Sequence, residues 1–474
     1  MNTFVNAVKN QSARTQNGMK ARKATSSKSV DFFYKAGAMR GKNIVPDFVG
    51  AYVENRDYAL RIAQWLRDVR EGAGERQLFK DILLEMAKTN SLETMVLMKK
   101  VPELGRWDDL LVFFDKPEYV QYQDFAIELI GKALEDKNGL CAKWMPRQGP
   151  IAARIRSALG YTPKRWRKTL VELTKVVETQ MCQNDWDNIN FNHVPSLAAS
   201  RYKKAFYRHT PKFAEYVNAL TKGDPTVKVN AGAVYPYDIT KTLRSWNPSK
   251  TEIDHAVAQW NALPNYVDDN KVLALVDVSG SMGCLAGGHN SKSSVSCLEV
   301  AVSLGLYVAD KNTGPFKDTF LTFSGSPELL HLNGNIAQKI TQMRQSTWMM
   351  NTNLHAALEK ILSTAINGNV GQEDMPNMLL IMSDMQFDSC VTHDDSAIEM
   401  IGRKYAQAGY SMPQVVFWNL NAYDNAPVKY DTSGVALVSG FSPSILKSVL
   451  SAKIENFTPE AVMLETIMKP RYDL

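Results

Sequence analysis

Lys271-Val-Leu-Ala-Leu-Val-Asp-Val-Ser-Gly-Ser-Met282 decides the fold. Val272–Val276 is a continuous apolar run rather than an alternating one, which suits a parallel strand buried on both faces. It ends in Asp277, and Ser279, Gly280 and Ser281 follow at once. The polar cluster therefore falls at the carboxyl edge of a central strand, where open α/β sheets place their ligand sites. A carboxylate and two hydroxyls two residues apart are hard oxygen donors, and the intervening glycine lets the backbone bend around a small cation. That donor set suits Mg²⁺ better than zinc.

Beyond this stretch strands and helices alternate. Thr319–Phe323, Met378–Met382, Gln414–Asn419 and Gly434–Val438 read as further strands. Between and after them Cys297–Ala309, Asn335–Arg344, Asn353–Thr364, Ala397–Ala408 and Pro443–Ser451 read as helices, with a final one over Thr458–Lys469. This order predicts a doubly wound parallel sheet over residues 268–474. The turn-rich Pro264-Asn-Tyr-Val-Asp-Asp-Asn270 is the expected domain boundary.

Before that boundary the pattern is helical. Residues 31–263 carry successive amphipathic segments, among them Ala51–Val69, Tyr122–Leu134 and Lys164–Gln180, the last started by Thr162-Pro163. They predict an irregular α-helical array without a strict repeat. Residues 1–30 hold six Lys and Arg and no acidic residue, and read as an extended basic arm after a short helix over Met1–Lys9. The expected fold class is thus α + α/β: a helical array followed by a doubly wound parallel sheet.

At 474 residues the chain has room for two or three domains. A 45% hydrophobic and 22% charged composition places it with soluble globular proteins. No apolar run approaches the ~20 residues of a membrane span, and Met1–Val30 lacks a secretory apolar region. Cys141, Cys182, Cys284, Cys297 and Cys390 are odd in number and lack metal-type spacing, so reduced thiols in the cytoplasm are expected. The net charge of +6 permits nucleic-acid binding without requiring it.

Asp277-Val-Ser-Gly-Ser281 resembles the opening of the metal-ion-dependent adhesion site of von Willebrand factor A (vWA) domains. Such a site takes a threonine and an aspartate from two later loops. Met350-Asn-Thr-Asn-Leu354 offers Thr352, and Leu379-Leu-Ile-Met-Ser-Asp384 ends in Asp384. The resemblance implies that Ser279, Ser281 and Thr352 reach a Mg²⁺ directly, with Mn²⁺ or Ca²⁺ as substitutes, while Asp277 and Asp384 act through waters. It further implies one position left open for a partner's acidic group. His289 reads as decoration of a Gly- and Ser-rich loop, and Asp388 as a helix cap.

Asp31-Phe-Phe-Tyr-Lys-Ala-Gly-Ala-Met-Arg-Gly41, Arg67–Arg76, Arg106-Trp-Asp-Asp-Leu110 and Lys164-Arg-Trp-Arg-Lys168 resemble a family of uncharacterised vWA-containing proteins. So do Lys203–His209, Ala231–Tyr237, Ser383–Asp388 and Phe417-Trp-Asn-Leu420. A more distant likeness is to the Ro autoantigen, whose TROVE module is a ring of HEAT-like helices joined to a vWA domain. That likeness implies binding of structured or misfolded RNA on a basic helical surface. Independently, Arg147, Arg154, Lys164, Arg165, Arg167 and Lys168, then Lys203, Lys204 and Arg208, form dense basic clusters. Trp144, Tyr161, Trp166, Tyr202, Phe206 and Tyr207 are interleaved with them. Cationic side chains neutralise phosphates, and aromatic faces either stack bases or fill the core.

The seven histidines are dispersed, and neither H-E-x-x-H nor a phosphate loop is present. No enzyme is expected. Two readings remain. One is an RNA-binding scaffold whose vWA domain recruits a partner; the other is a protein-interaction adaptor working through the metal site without RNA, for example with a MoxR-type AAA+ ATPase. A metal-dependent nuclease would need clustered carboxylates that the sequence does not offer.

Overall fold

The computed structural model describes residues 12–474 apart from 175, 231–233, 245–247, 287–294, 324–326, 346–352, 388–396, 424 and 452–456. The expected helix over Met1–Lys9 lies outside the described residues. The described residues open with strands β1 (Ser12–Arg14) and β2 (Lys20–Arg22), then helices α1 (Lys28–Ala36), α2 (Val45–Glu54), α3 (Arg56–Arg67), α4 (Gln77–Thr89) and α5 (Ser91–Leu104). It continues with α6 (Val120–Glu135), α7 (Gly139–Trp144), α8 (Gly149–Ala158), α9 (Pro163–Leu173), α10 (Val177–Cys182), α11 (Ser196–His209) and α12 (Lys212–Thr221). Helices α13 (Pro236–Leu243) and α14 (Lys250–Asn261) precede β3 (Val272–Asp277). The alternating part then runs α15 (Cys297–Lys311), β4 (Thr319–Phe323), β5 (Glu328–His331), α16 (Ile336–Gln345), α17 (Leu354–Asn367) and β6 (Met378–Ser383). It ends with α18 (Ala397–Gln407), β7 (Gln414–Asn419), β8 (Val435–Ser439), α19 (Ile445–Ser451) and α20 (Pro459–Ile467).

Contacts divide the chain into two units, one of Met1–Ile62, Glu71–Ala73 and Ala231–Asp473, the other of Ala63–Arg70 and Gly74–Asn230, with Leu474. The first is built on a six-stranded sheet of order β5-β4-β3-β6-β7-β8. All its pairs are parallel except β4–β5. Every residue of β3, β6 and β8 is buried, which explains their unbroken apolar runs. Helix α15 starts at a capping box of Ser296 and Glu299 and lies close on β3. A Cβ on its Gly305 would stand 2.4 Å from Val276 Cγ2, so only glycine permits that approach. Strand β5 escapes sequence reading because it is a short, largely exposed edge whose register comes from β4.

The division by contacts differs from the boundary expected at Pro264–Asn270. There the Tyr307 hydroxyl donates to Pro264 O and accepts from Tyr266 N at 3.1 Å, and Trp260 Nε1 donates to Asp310 at 2.9 Å. These bonds tie α14 and the turn after it to α15. Residues 31–62, read with the helical array, also belong to the sheet's unit. Ser439 Oγ, at the end of β8, donates to Phe33 O at 3.1 Å and accepts from Gly37 N at 3.0 Å. A Cβ on Gly37 would meet Ser439 O at 2.4 Å and its carbonyl carbon at 2.7 Å. Backbone cannot yield as a flexible side chain does. Gly37→Ala is therefore expected to destabilise the protein by about 1–3 kcal/mol or more, read as a lower urea midpoint at unchanged m.

The basic arm is likewise not free over its described part. Ser12–Arg14 pairs with Lys20–Arg22 as an antiparallel hairpin, and Arg22 bridges to Ala426. Met19 and Ala21 are buried. Next to it the Glu54 carboxylate collects the Lys28 and Ser29 amides at 2.7 Å each and the hydroxyls of Ser27 and Ser29. A polar segment whose bonds are satisfied by distant residues looks solvated in sequence.

The second unit is helical. Trp166 and Phe206, two of the aromatics interleaved with basic residues, are fully buried. Trp166 Nε1 donates to Pro146 O at 3.0 Å, which pins α9 to the turn after α7. Phe206 joins Val177, Phe191, Phe213 and Val217 in a core that gathers α10–α12. No helix among the described residues is long and apolar enough to cross a membrane.

Candidate metal centre

The order of strands reverses between β3 and β6, so the crevice at their carboxyl ends is the ligand position of an open α/β sheet. Register Val276↔Met382 brings Asp277 and Ser383 to this edge together. Ser383 Oγ donates to Asp277 Oδ2 at 2.5 Å, and Ser279 N donates to Asp277 Oδ1 at 2.9 Å. The chain then turns through a short 3₁₀ segment, Gly280–Gly283, which sets Ser279 Oγ and Ser281 Oγ 3.0 Å apart. Asp384 enters from β6: its amide donates to Met282 Sδ at 3.2 Å, and its Oδ1 accepts from Gln386 N at 3.2 Å. Asp277, Ser279 and Asp384 are all buried.

Two buried carboxylates share this cluster. Burial, and after it the Asp384 carboxylate, pushes Asp277 up to about 7. Burial also raises Asp384, against hydrogen bonds from Gln386 and Ser281. Asp384 Oδ2 is buried and has no hydrogen-bond partner among the described residues. Two desolvated carboxylates and an orphaned oxygen are costly unless a proton or a cation answers them. The hydroxyls beside them are hard donors, so the residues present fit Mg²⁺, Mn²⁺ or Ca²⁺.

Thr352, the third-loop ligand expected from sequence, lies outside the described residues, as do His289, Asp388 and Cys390. Among the described residues no group of three or more His, Cys, Asp or Glu side chains is arranged as a metal cluster. Sequence reading missed what buttresses the Asp384 loop. The hairpin turn supplies Thr15 Oγ1 to Phe387 O at 2.5 Å, Asn17 Nδ2 to Gln386 O at 2.7 Å, and Gln16 N to Gln386 Oε1 at 2.7 Å. No local signal marks these residues, because their partners lie some 370 positions away.

The basic residues lie on the helical unit. On α9, Lys164, Arg165, Arg167 and Lys168 are exposed, and Arg147 is exposed just before α8. Arg165 stacks over Tyr161 at 4.6 Å, while Lys168 is 3.6 Å from Glu172. Arg154 on α8 is paired with Asp124 and is less available. On α11, Lys204 and Arg208 are exposed and Lys203 is half-buried, with His209 stacked on Trp186 at 4.3 Å. Trp166 and Phe206 are core and present no face to a base.

Residues 271–469 match a family model described as a domain of unknown function (DUF7788), and residues 149–273 match a second one, DUF2828. The chain is 30% identical to uncharacterized protein L728 of Acanthamoeba polyphaga mimivirus, over 96% of this chain and 86% of that protein. It belongs to the family of that viral protein. The fold also aligns with the crystal structure of the Deinococcus radiodurans Ro (RSR) protein at a TM-score of 0.47 and 14% identity, covering 93% of this chain and all of that one.

Proposed function

We propose that this is a non-enzymatic binding protein with a vWA-like sheet that holds one divalent cation, Mg²⁺ by preference, at the ends of β3 and β6. Asp277, Ser279, Ser281 and Asp384 hold it, with Thr352 as the expected further donor. The observation that carries this reading is the buried Asp384 Oδ2, which has no partner among the described residues and lies beside the buried carboxyl of Asp277. A hydroxyl-rich shell leaves the cation electrophilic, so it can bind an acidic group of a protein partner. The cation supplies that charge; the protein's part is to fix the two serines by the 3₁₀ turn and Asp277 by Ser383.

In the same reading the helical unit offers a basic face to RNA. Arg147, Lys164, Arg165, Arg167, Lys204 and Arg208 are exposed and make no ion pair with a described residue. Arginine and lysine so placed neutralise phosphates, and each neutralised phosphate steepens the salt dependence of binding. Crosslinking followed by sequencing of nucleic acid carried by the purified protein tests this half. Replacing Lys164, Arg165, Arg167 and Lys168 together by Gln is expected to weaken binding of a structured RNA roughly uniformly across sequences and to flatten its log–log salt slope. An unchanged slope, or protein that neither carries RNA nor binds it with any salt dependence, removes the RNA half and leaves the cation-dependent adaptor.

A further inference from the structure

Cys284 and Cys297 stand at the two ends of the segment that links the serine turn to α15. Leu285 and Ser296 form an antiparallel bridge across it. Ala286 N donates to Val295 O, and Cys297 N to Cys284 O, both at 2.9 Å. The backbone thus zips the neck shut and places the two sulfurs 3.6 Å apart. Both thiols are free, Cys284 half-buried and Cys297 buried in the first turn of α15. Their surroundings are polar. Asn421 Nδ2 donates to Cys284 Sγ at 3.3 Å, and the Cys297 thiol donates to Leu420 O at 3.3 Å. Asn421 Oδ1 in turn accepts from Lys42 Nζ at 3.1 Å. The Cys297 thiol beside it holds Cys284 below the usual thiol range, whereas Cys284 and burial push Cys297 up. One accessible attacking sulfur and one buried resolving sulfur is the asymmetry that thiol–disulfide exchange uses.

We propose that Cys284 and Cys297 form a thiol-oxidation site, closing reversibly into a disulfide by exchange with a low-molecular-weight disulfide of the glutathione type. The Cys284 thiolate attacks one sulfur of the reagent, and one thiolate leaves, forming a mixed disulfide. Cys297 then gives up its proton and attacks Cys284 Sγ, expelling the second thiolate. Two protein thiols lose two electrons and two protons, and one reagent disulfide becomes two thiols. The new bond is about 2.05 Å long, so the sulfurs close by roughly 1.5 Å. Closure removes the S–H that serves Leu420 O and pulls on the neck that starts three residues after Ser281. Resting on the cation reading above, oxidation is a control on the serine side of that site.

Full-length protein equilibrated in glutathione buffers of graded ratio, then alkylated and digested with trypsin, tests the assignment without reference to any cation. Peptides Val272–Lys292 and Ser293–Lys311 are expected to appear joined, with neither cysteine alkylated, and to separate on reduction. Cys297→Ser is expected to stop at one glutathione on Cys284, and Cys284→Ser to leave Cys297 unmodified. Two independent glutathione adducts in the wild type, or bridges from either cysteine to Cys182 or Cys390, overturn the proposal. Mn²⁺ titration of the oxidised and reduced forms reads the control: a change of about tenfold in affinity is expected, and equal affinities overturn it. Reduced protein that binds no Mn²⁺ while the bridge still forms counts against the cation reading alone.

Discussion

Asp109→Ala is expected to cost about 3–5 kcal/mol of stability, because it strands buried positive charge. Arg67 is 1% exposed and Asp109 is fully buried. Arg67 reaches Asp109 Oδ2 through Nε at 2.8 Å and Nη2 at 2.7 Å, and Arg76 Nε reaches Oδ1 at 2.6 Å. The Arg106 amide adds a bond at 3.1 Å. Asp108 continues the network to Arg76 and Arg106, and the Arg106 guanidinium lies 3.4 Å over Trp144. Burial works against the Asp109 charge, but Arg67 and the hydrogen bonds from Arg76 outweigh it and hold the carboxyl below its ordinary 3.8. A depressed folded pKa contributes stability that is complete above the unfolded value and disappears as pH falls through the folded one. Urea midpoints followed from pH 6 down past the ordinary Asp range of about 4 should therefore fall in the wild type. Asp109→Asn should start lower and show less of that acid loss. Equal midpoints for wild type and Asp109→Ala would contradict the role given to this pair.

The second large effect falls on cation binding. Asp277→Asn is expected to weaken Mn²⁺ or Mg²⁺ binding by about 10- to 100-fold, since it removes a carboxylate that holds the cation through water. Its effect on the cation-free fold should have the opposite sign. The substitution removes a buried negative charge that Asp384 disfavours, and a neutral amide can still accept from Ser279 N. The variant should unfold at a urea concentration no lower than wild type in chelator, and only the wild type should gain stability when Mg²⁺ is added. A variant that loses binding because it is unfolded would show in the same experiment.

Much of the sheet was legible because parallel strands buried on both faces advertise themselves. Val272–Val276 and Met378–Met382 are unbroken apolar runs, each followed by Asp and Ser at the carboxyl edge. Two chemical halves of the candidate site could therefore be joined by topology alone. What escaped was whatever depends on distant partners. Thr15, Gln16 and Asn17 look like a solvated arm until Gln386 and Phe387 receive their bonds. Residues 31–62 have ordinary helical periodicity, and nothing local tells that Gly37 and Phe33 bond to Ser439 rather than to another helix. Cys284 and Cys297 meet only because Leu285 pairs with Ser296. Local sequence also leaves open whether an interleaved aromatic stacks on a base or fills the core; Trp166 and Phe206 fill it.

Mn²⁺ titration of full-length, reduced protein, followed by the loss of the free-ion paramagnetic signal, tests the cation site most directly. One saturable site per chain is expected, competed by Mg²⁺, absent in Asp384→Asn and in the Ser279→Ala, Ser281→Ala double variant, with all variants folded by circular dichroism. No saturable Mn²⁺ binding by the wild type, or binding undiminished in those variants, would contradict it.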